Sequence, residues 1–228
     1  MKTCVIIPTY NESRVIAELT REIRQQNLEV VVVDDGSCDN TAQIAADNGA
    51  IVLRNPNNEG KGASLIKGFH YALSKDFDAV ITMDGDGQHE PADILYFMRL
   101  AQYSNSAILV GNRMTKTKNM PLLRLLTNKL MSWFISFVAR QKVPDTQCGF
   151  RLIKKDLLEK LNLRTSKYEV ESEIIIKASR LGFKIESVPI KTIYSLEKSQ
   201  IHPIIDTLRF FRFIVKEYGL RHIEKKNG

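Results

Sequence analysis

Ala79-Val80-Ile81-Thr82-Met83-Asp84-Gly85-Asp86-Gly87-Gln88-His89 is the stretch on which the reading of this chain turns. A short β-prone run ends in two carboxylates at i and i+2, each followed by glycine, then by an amide and an imidazole. Carboxylates so placed at the carboxyl end of a strand can converge on one hard cation, and Mg2+ and Mn2+ take such oxygen ligands and share them with substrate phosphates. In open α/β sheets ligands bind outside the carboxyl ends of the strands, which is where this motif falls. A solvated Asp-Gly turn is the plainer alternative. It leaves two neighbouring carboxylates repelling each other with nothing to bind them. A calcium loop of the EF-hand type fails on spacing, because His89 stands where that loop needs glycine and Leu95 where it needs glutamate.

Outward from this motif, β-rich runs alternate with helical patterns, which predicts an α/β fold built on a mostly parallel twisted sheet flanked by helices. Strands are expected at Cys4–Ile7, Val30–Asp34, Ala50–Arg54, Ala79–Asp84 and Ile108–Gly111. Helices are expected at Glu12–Gln26, Asn40–Ala46, Gly62–Ser74, from Pro91 to Tyr103, from Pro121 to Arg140 and at Val170–Leu181. Val30-Val31-Val32-Val33 shows no polar alternation and reads as a central strand covered on both faces. Asp39 or Asn40 is placed to cap the helix that follows. Asp145–Ile153 reads as loop plus strand, and Ile185–Tyr194 as an extended segment carrying Pro189.

Three further constellations fall at strand-to-helix turns on the same edge. Pro8-Thr9-Tyr10-Asn11-Glu12 and Asp34-Asp35-Gly36-Ser37 offer an aromatic ring, amide and carboxylates that suit a nucleobase and ribose. Each alone is weak, since Asn, Asp and Ser are common helix caps. In Asn58-Glu59-Gly60-Lys61-Gly62, Lys61 and the amides of a helix start suit a diphosphate. Neither a Walker A loop nor a dinucleotide fingerprint has this glycine spacing.

Taken in order, Ile6-Ile7-Pro8-Thr9-Tyr10-Asn11-Glu12, Val32-Val33-Asp34-Asp35-Gly36-Ser37, Gly60-Lys61-Gly62 and Asp84-Gly85-Asp86-Gly87-Gln88-His89 resemble the family-2 glycosyltransferases. Gly111-Asn112-Arg113, Asp145-Thr146-Gln147-Cys148-Gly149-Phe150-Arg151 and Val188-Pro189-Ile190 extend the likeness toward the dolichyl- and polyprenyl-phosphate mannosyl- and glucosyltransferases. The resemblance implies a GT-A fold over residues 1–200 and an inverting transfer from a metal-bound nucleoside-diphosphate sugar, of the GDP-mannose or UDP-glucose type, to a polyprenyl phosphate. It places Asp86 and Gln88 on Mg2+ or Mn2+, with Asp84 on the metal or the ribose. Pro8, Tyr10, Asn11, Glu12, Asp34 and Asp35 would then line the nucleoside pocket, with Lys61 on the diphosphate. Arg113 and Arg124, with Asn128 one turn beyond, would receive the acceptor phosphate, and Arg151 would join the substrate-binding residues. Asp145 is the candidate base if the acceptor is instead a hydroxyl of a growing glycan. That alternative is weakened because the Gln-x-x-Arg-Trp segment of many hydroxyl-transferring relatives is absent. Glu171, in Tyr168-Glu169-Val170-Glu171-Ser172-Glu173, is expected to anchor the acceptor-side arginines, and His89 to stand behind the metal ligands. A sugar-1-phosphate nucleotidyltransferase would carry a Gly-rich loop where this chain has Pro8-Thr9-Tyr10-Asn11-Glu12.

The chain has 228 residues, 43% of them apolar, enough for one substantial core. A formal charge of +7 favours an anionic partner. Nucleic acid is disfavoured, because the basic residues lack interleaved aromatics or a known motif. Three cysteines without metal-type spacing read as reduced thiols. No signal segment is legible at the N-terminus, which predicts a cytoplasmic protein. Leu122–Ala139, the nearest approach to a membrane span, is interrupted by Arg124, Asn128 and Lys129 and is expected to fall short. Residues 201–228 read as a basic amphipathic helix, with Ile204, Leu208, Phe211, Val215 and Tyr218 on one face. That helix is expected to dock the enzyme at the cytoplasmic face of a membrane, directly or through a membrane-embedded partner.

Overall fold

The computed structural model describes residues 1–115, 117 and 120–191. The chain divides into two compact units, Met1–Ser195 and Leu196–Gly228, and every described residue belongs to the first. The expected C-terminal helix, and the end of the extended segment beyond Lys191, lie outside the described residues.

Strands β1 (Thr3–Thr9), β2 (Glu29–Asp34), β3 (Ile51–Arg54) and β4 (Ala79–Thr82) alternate with helices α1 (Ile16–Arg24), α2 (Thr41–Asp47) and α3 (Lys61–Ser74). Then come α4 (Asp93–Tyr103), β5 (Ile108–Asn112), a 3-10 turn at Arg113–Thr115, α5 (Leu122–Ala139), β6 (Arg151–Lys154), α6 (Lys155–Leu158), α7 (Val170–Arg180) and β7 (Ile185–Pro189). The strands form one sheet in the order β3-β2-β1-β4-β6-β5-β7. All pairings are parallel except those of β6, which runs against both β4 and β5.

The apolar run Val30–Val33 is fully buried, as are Cys4–Ile7 and Ala79–Ile81, so the centre of the sheet is covered on both faces as the unbroken valines require. Each valine or isoleucine in these runs contributes roughly 1.5–3 kcal/mol on leaving water. α3 packs across β1 and β2, α4 lies on β6, and α5 packs against α7. α1 starts later than its pattern suggests, at Ile16, after a turn in which the amides of Glu12 and Ser13 donate to Thr41 Oγ1 and Asp39 Oδ2. At the start of α2, Asn40 makes no side-chain cap bond, whereas Asp39 accepts from the amide of Thr41 at 3.0 Å.

The chain lays down β1, β2 and β3 toward one side, then crosses back to place β4 on the other side of β1. The carboxyl ends of β1, β2 and β4 therefore meet where the strand order reverses. β6 enters the sheet from this same edge, with Arg151 opposite both Thr82 and Val110, so the loop before it closes over the end of β4.

α5 corrects one expectation. Its 18 residues have a mean hydropathy of 1.2, long and apolar enough by length and composition to cross a membrane despite the polar interruptions. Met131, Ser132, Ile135 and Ala139 are buried, whereas Leu122, Leu123, Leu126, Leu130, Trp133 and Phe137 are exposed.

Candidate active site

The loop after β1 is built by side chains of the loop after β2. Asn11 adopts φ 58°, its amide donates to Ser37 Oγ at 2.9 Å, and its own Oδ1 accepts from the Cys38 amide at 2.9 Å. Asn11 thus holds the turn that presents its half-buried neighbour Tyr10. Asp34 is fully buried, accepting from the Ser37 amide at 3.2 Å and pairing with Arg54 Nε at 3.0 Å. Asp35 is also buried and is spent on the fold: it accepts from Asn55 Nδ2 at 2.8 Å and from the amides of Glu59 and Gly60 at 3.0 and 2.8 Å. Its role is to set the turn before Lys61. Gly60 sits there at φ 102°, and a Cβ on it would lie 2.4 Å from the Ser166 carbonyl oxygen, so only glycine fits.

The centre of the site lies at the end of β4. Lys61 Nζ, at the first turn of α3, donates to Asp84 Oδ1 at 2.5 Å and to Glu171 Oε1, at the start of α7, at 2.6 Å. His89 Nε2 lies 3.3 Å from Asp84 Oδ2, while its Nδ1 is buried without a hydrogen-bond partner among the described residues. Burial works against the charge of Asp84, but the Lys61 ammonium and the His89 hydrogen bond outweigh it and hold the carboxyl well below the usual range. Lys61 is desolvated too, yet the charges of Asp84 and Glu171 raise its pKa. Asp86 moves the other way: burial first, then the charge of Asp84, push its carboxyl up, against one bond from the Gln88 amide at 3.0 Å. Gly149 makes room for the cluster, since a Cβ there would meet Asp84 Oδ1 at 2.3 Å and Oδ2 at 2.6 Å. Thr82 Oγ1 fastens that glycine by donating to its carbonyl at 2.7 Å.

A second charged cluster lies at the end of β5. Arg113 donates from Nε to Asp145 Oδ2 at 2.8 Å and from Nη2 to Oδ1 at 2.9 Å, and its backbone amide adds a third bond at 3.0 Å. Only 5% of Arg113 and none of Asp145 is exposed. The fork expected to grip a phosphate therefore grips Asp145, and the carboxylate expected to serve as a base has both oxygens engaged. Burial opposes the charge of Asp145, but Arg113 overrides it and holds the carboxyl below its ordinary range. Arg151 is buried and donates to the carbonyls of Cys148, Thr146 and Glu171 at 2.8, 2.9 and 2.6 Å, so it shapes the loop over β4. Glu171 corrects a further expectation, because its carboxylate pairs with Lys61 and only its carbonyl meets an arginine. Arg124 is half-buried in the first turn of α5, and Asn128, one turn on, is buried with Nδ2 unpartnered among the described residues.

This arrangement has a recognisable counterpart. The pattern of the family described as Glycosyl transferase family 2 matches residues 4–162, well over half the chain. The chain belongs to that family. Among its relatives is the UDP-N-acetylglucosamine–dolichyl-phosphate N-acetylglucosaminyltransferase of Methanococcus voltae, 32% identical over 84% of this chain and 85% of that protein. Another is the polyprenol monophosphomannose synthase of Mycolicibacterium smegmatis, 27% identical over 96% and 88%. Glucosyl-3-phosphoglycerate synthase of M. tuberculosis shares the fold, with a TM-score of 0.75 at 18% identity, covering 96% of this chain and 81% of that one. The protein is thus a family-2 glycosyltransferase with the GT-A fold.

Asp84, Asp86 and Gln88 offer this glycosyltransferase hard oxygen donors. Among the described residues no three His, Cys, Asp or Glu side chains form a metal-binding group. The half-buried, charge-repelled carboxyl of Asp86 is the part of the site that a cation would relieve. The donor set fits a divalent ion that takes its other ligands from a diphosphate and water. Sequence reasoning missed the reach of Glu171 to Lys61, 110 residues apart, and the support of the first loop by Ser37, Asp39 and Thr41. The hydroxyl- and carboxylate-rich run Ser37–Thr41 was the available signal for the second.

Proposed function

We propose that this glycosyltransferase moves a hexose, with inversion, from a nucleoside-diphosphate sugar to a polyprenyl phosphate, using Mg2+ or Mn2+. The observation that carries the reading is the cluster of Asp84, Asp86 and Lys61 at the end of β4, seated in the space left by Gly149. The polyprenyl and dolichyl phosphates in the names of the two relatives support the acceptor class.

In this reading Tyr10 stacks on the base, Pro8 and Glu12 line the same pocket, and Asp34, buried against Arg54 and the Ser37 amide, shapes the pocket from the end of β2. Lys61, held from behind by Glu171, faces the diphosphate. Asp86 and Gln88, with Asp84, hold the cation, which supplies Lewis-acid stabilisation of the departing diphosphate. Arg124 and Asn128 receive the acceptor phosphate, and Arg113, fixed by Asp145, holds the neighbouring loop in shape. A lipid monophosphate with a second pKa of about 6, by analogy with phosphorylated side chains, is largely dianionic at neutral pH and needs no general base. That suits a site in which Asp145 has both oxygens on Arg113. A hydroxyl acceptor would need a positioned carboxylate to take its proton.

Thermal-shift titration of the full chain with nucleotide-sugars, with and without Mn2+, tests the donor half. A matching donor at 100-fold excess over its Kd stabilises by about 2.7 kcal/mol, and the metal should deepen the shift in the wild type but not in Asp86→Asn. Equal shifts in both proteins, or none with any nucleotide-sugar, would overturn the proposed donor site.

A further inference from the structure

α5 carries two apolar faces, and the fold uses one. At about 100° per residue, Leu122, Leu123, Leu126, Leu130, Trp133 and Phe137 project into an arc about 100° wide. All six are exposed, from 57% for Leu126 to 74% for Phe137, and the rings of Trp133 and Phe137 stack 6.4 Å apart. The opposite face is anchored: Met131, Ile135 and Ala139 are buried, Ser132 Oγ accepts from the Thr146 amide at 3.0 Å, and Ser136 Oγ accepts from the Val143 amide at 3.0 Å. A helix held this way cannot cross a bilayer, whatever its hydropathy, without breaking those contacts. It can lie flat on one.

The charge around it points to the occupant. From Met114 to Pro144, leaving out Arg113 because it is buried on Asp145, the sequence holds Lys116, Lys118, Arg124, Lys129, Arg140 and Lys142 and no Asp or Glu. The rest of the chain nearly balances, 27 basic residues against 26 acidic, so six of the seven formal excess charges lie in this segment. A second copy is a poor occupant. The bare strip is about 27 Å long and one helix wide, short of the roughly 800 Å² per partner of a standard stable interface, and two copies would bring like charges together.

We propose that the exposed face of α5 docks on an anionic lipid bilayer, with Trp133 at the headgroup level and the exposed Lys129, Arg140 and Lys142 on the lipid phosphates. This deepens the lipid-phosphate reading by naming the surface that brings the site to its acceptor. It also moves the docking role from residues 201–228 to α5. The face is tied to the site, because Ser132 bonds the loop whose next residues, through Gly149, line Asp84.

Trp133 is the only tryptophan, so tryptophan emission, excited at wavelengths that tyrosine does not absorb, reports on this surface alone. The full chain is mixed with vesicles of phosphatidylglycerol and phosphatidylcholine, with and without brominated acyl chains, and compared with Leu126→Glu/Phe137→Glu. Both replaced side chains are exposed, and an unchanged melting midpoint and unchanged nucleotide-sugar binding confirm that the variant is folded. Wild-type emission should shift to the blue and be quenched by bromolipid. The double variant should bind vesicles at least about tenfold more weakly. Sedimentation with vesicles while Trp133 keeps its emission in buffer would overturn the proposal, since another surface would then be the anchor. So would no sedimentation, a dimer in solution that the double variant dissociates, or binding only to vesicles carrying an integral membrane protein. A vesicle-bound, blue-shifted enzyme that fails to glycosylate any polyprenyl phosphate would leave the docking face standing and remove the acceptor reading alone.

Discussion

The two charged clusters at the ends of β4 and β5 are built from the same groups and do different things. Arg113 and Asp145 form a closed pair: both carboxylate oxygens are engaged, a planar fork fits them, and almost nothing is exposed. Such a pair suits positioning, because guanidinium geometry fixes orientation as well as charge. Lys61 with Asp84 and Glu171 is an open one: a point charge on a flexible stem is shared between two carboxylates, with Asp84 about a quarter exposed and the carboxyl of Asp86 pushed up by burial and by the charge of Asp84. In the proposed reading Lys61 changes partners as a diphosphate arrives, since losing one carboxylate leaves it the other. On that reading the closed pair serves as scaffold and the open one receives ligand charge.

The contrast is broken most directly at Asp86. Asp86→Asn should lower transfer by about 10³-fold or more, the loss of several kcal/mol of transition-state stabilisation, with the melting midpoint unchanged. Turnover near wild type would place the ligand charge elsewhere. Asp145→Ala should do the reverse. Leaving Arg113 buried and unpaired costs about 3–5 kcal/mol and lowers the midpoint by on the order of 10 °C. The pH dependence has a defined sign: a depressed carboxyl contributes stability that is present above its unfolded pKa of about 3.9 and lost as pH falls through the folded value. Wild type should therefore lose stability below about pH 4 more steeply than Asp145→Ala in denaturant titrations, and parallel curves would contradict the pair's role.

A smaller effect is expected at Glu171→Gln, which keeps a hydrogen-bond acceptor for Lys61 but removes its charge. The apparent donor KM should rise about tenfold, as for other partners that orient a ligand-binding group, with little change in KM for the acceptor. Equal effects on both substrates would mean that Glu171 serves only the fold. The smallest readout is chemical. Burial pushes the Cys4 and Cys148 thiols up to about 12, whereas Cys38 is exposed. The native protein should react with one equivalent of a thiol reagent at pH 8 and with three when unfolded. In Asp145→Ala, Cys148, buried in the loop that follows residue 145, should react faster than in wild type while Cys4 stays slow.

Much of the first half was legible because its signals are local. Unbroken valines predict a covered strand, and carboxylates directly after a strand predict a site at the sheet edge. The open pair was half legible: Lys61 and Asp84 belong to readable motifs, but Glu171 reaches them only because α7 folds back against α3. The reversal of β6 carries no sequence signal, since a short apolar strand reads alike in either direction, and that reversal sets Gly149 against Asp84. Arg113 and Arg151 have partners that the sequence did not reveal, for a shared reason. A buried arginine satisfied by a carboxylate or by carbonyls is spelled the same as one awaiting phosphate. The two faces of α5 were hidden likewise, because a helix apolar on most sides does not reveal which side stays bare.

The open cluster is proposed to pass a sugar to a lipid phosphate. The most direct measurement incubates the full chain with Mn2+, a panel of nucleoside-diphosphate hexoses and a polyprenyl phosphate in vesicles, and analyses the lipid phase by mass spectrometry. A polyprenyl-phosphate hexose should form from one donor with wild type and be lost in Asp86→Asn. Nucleotide-sugar binding with no sugar on the lipid, and transfer to a hydroxyl acceptor in its place, would contradict it.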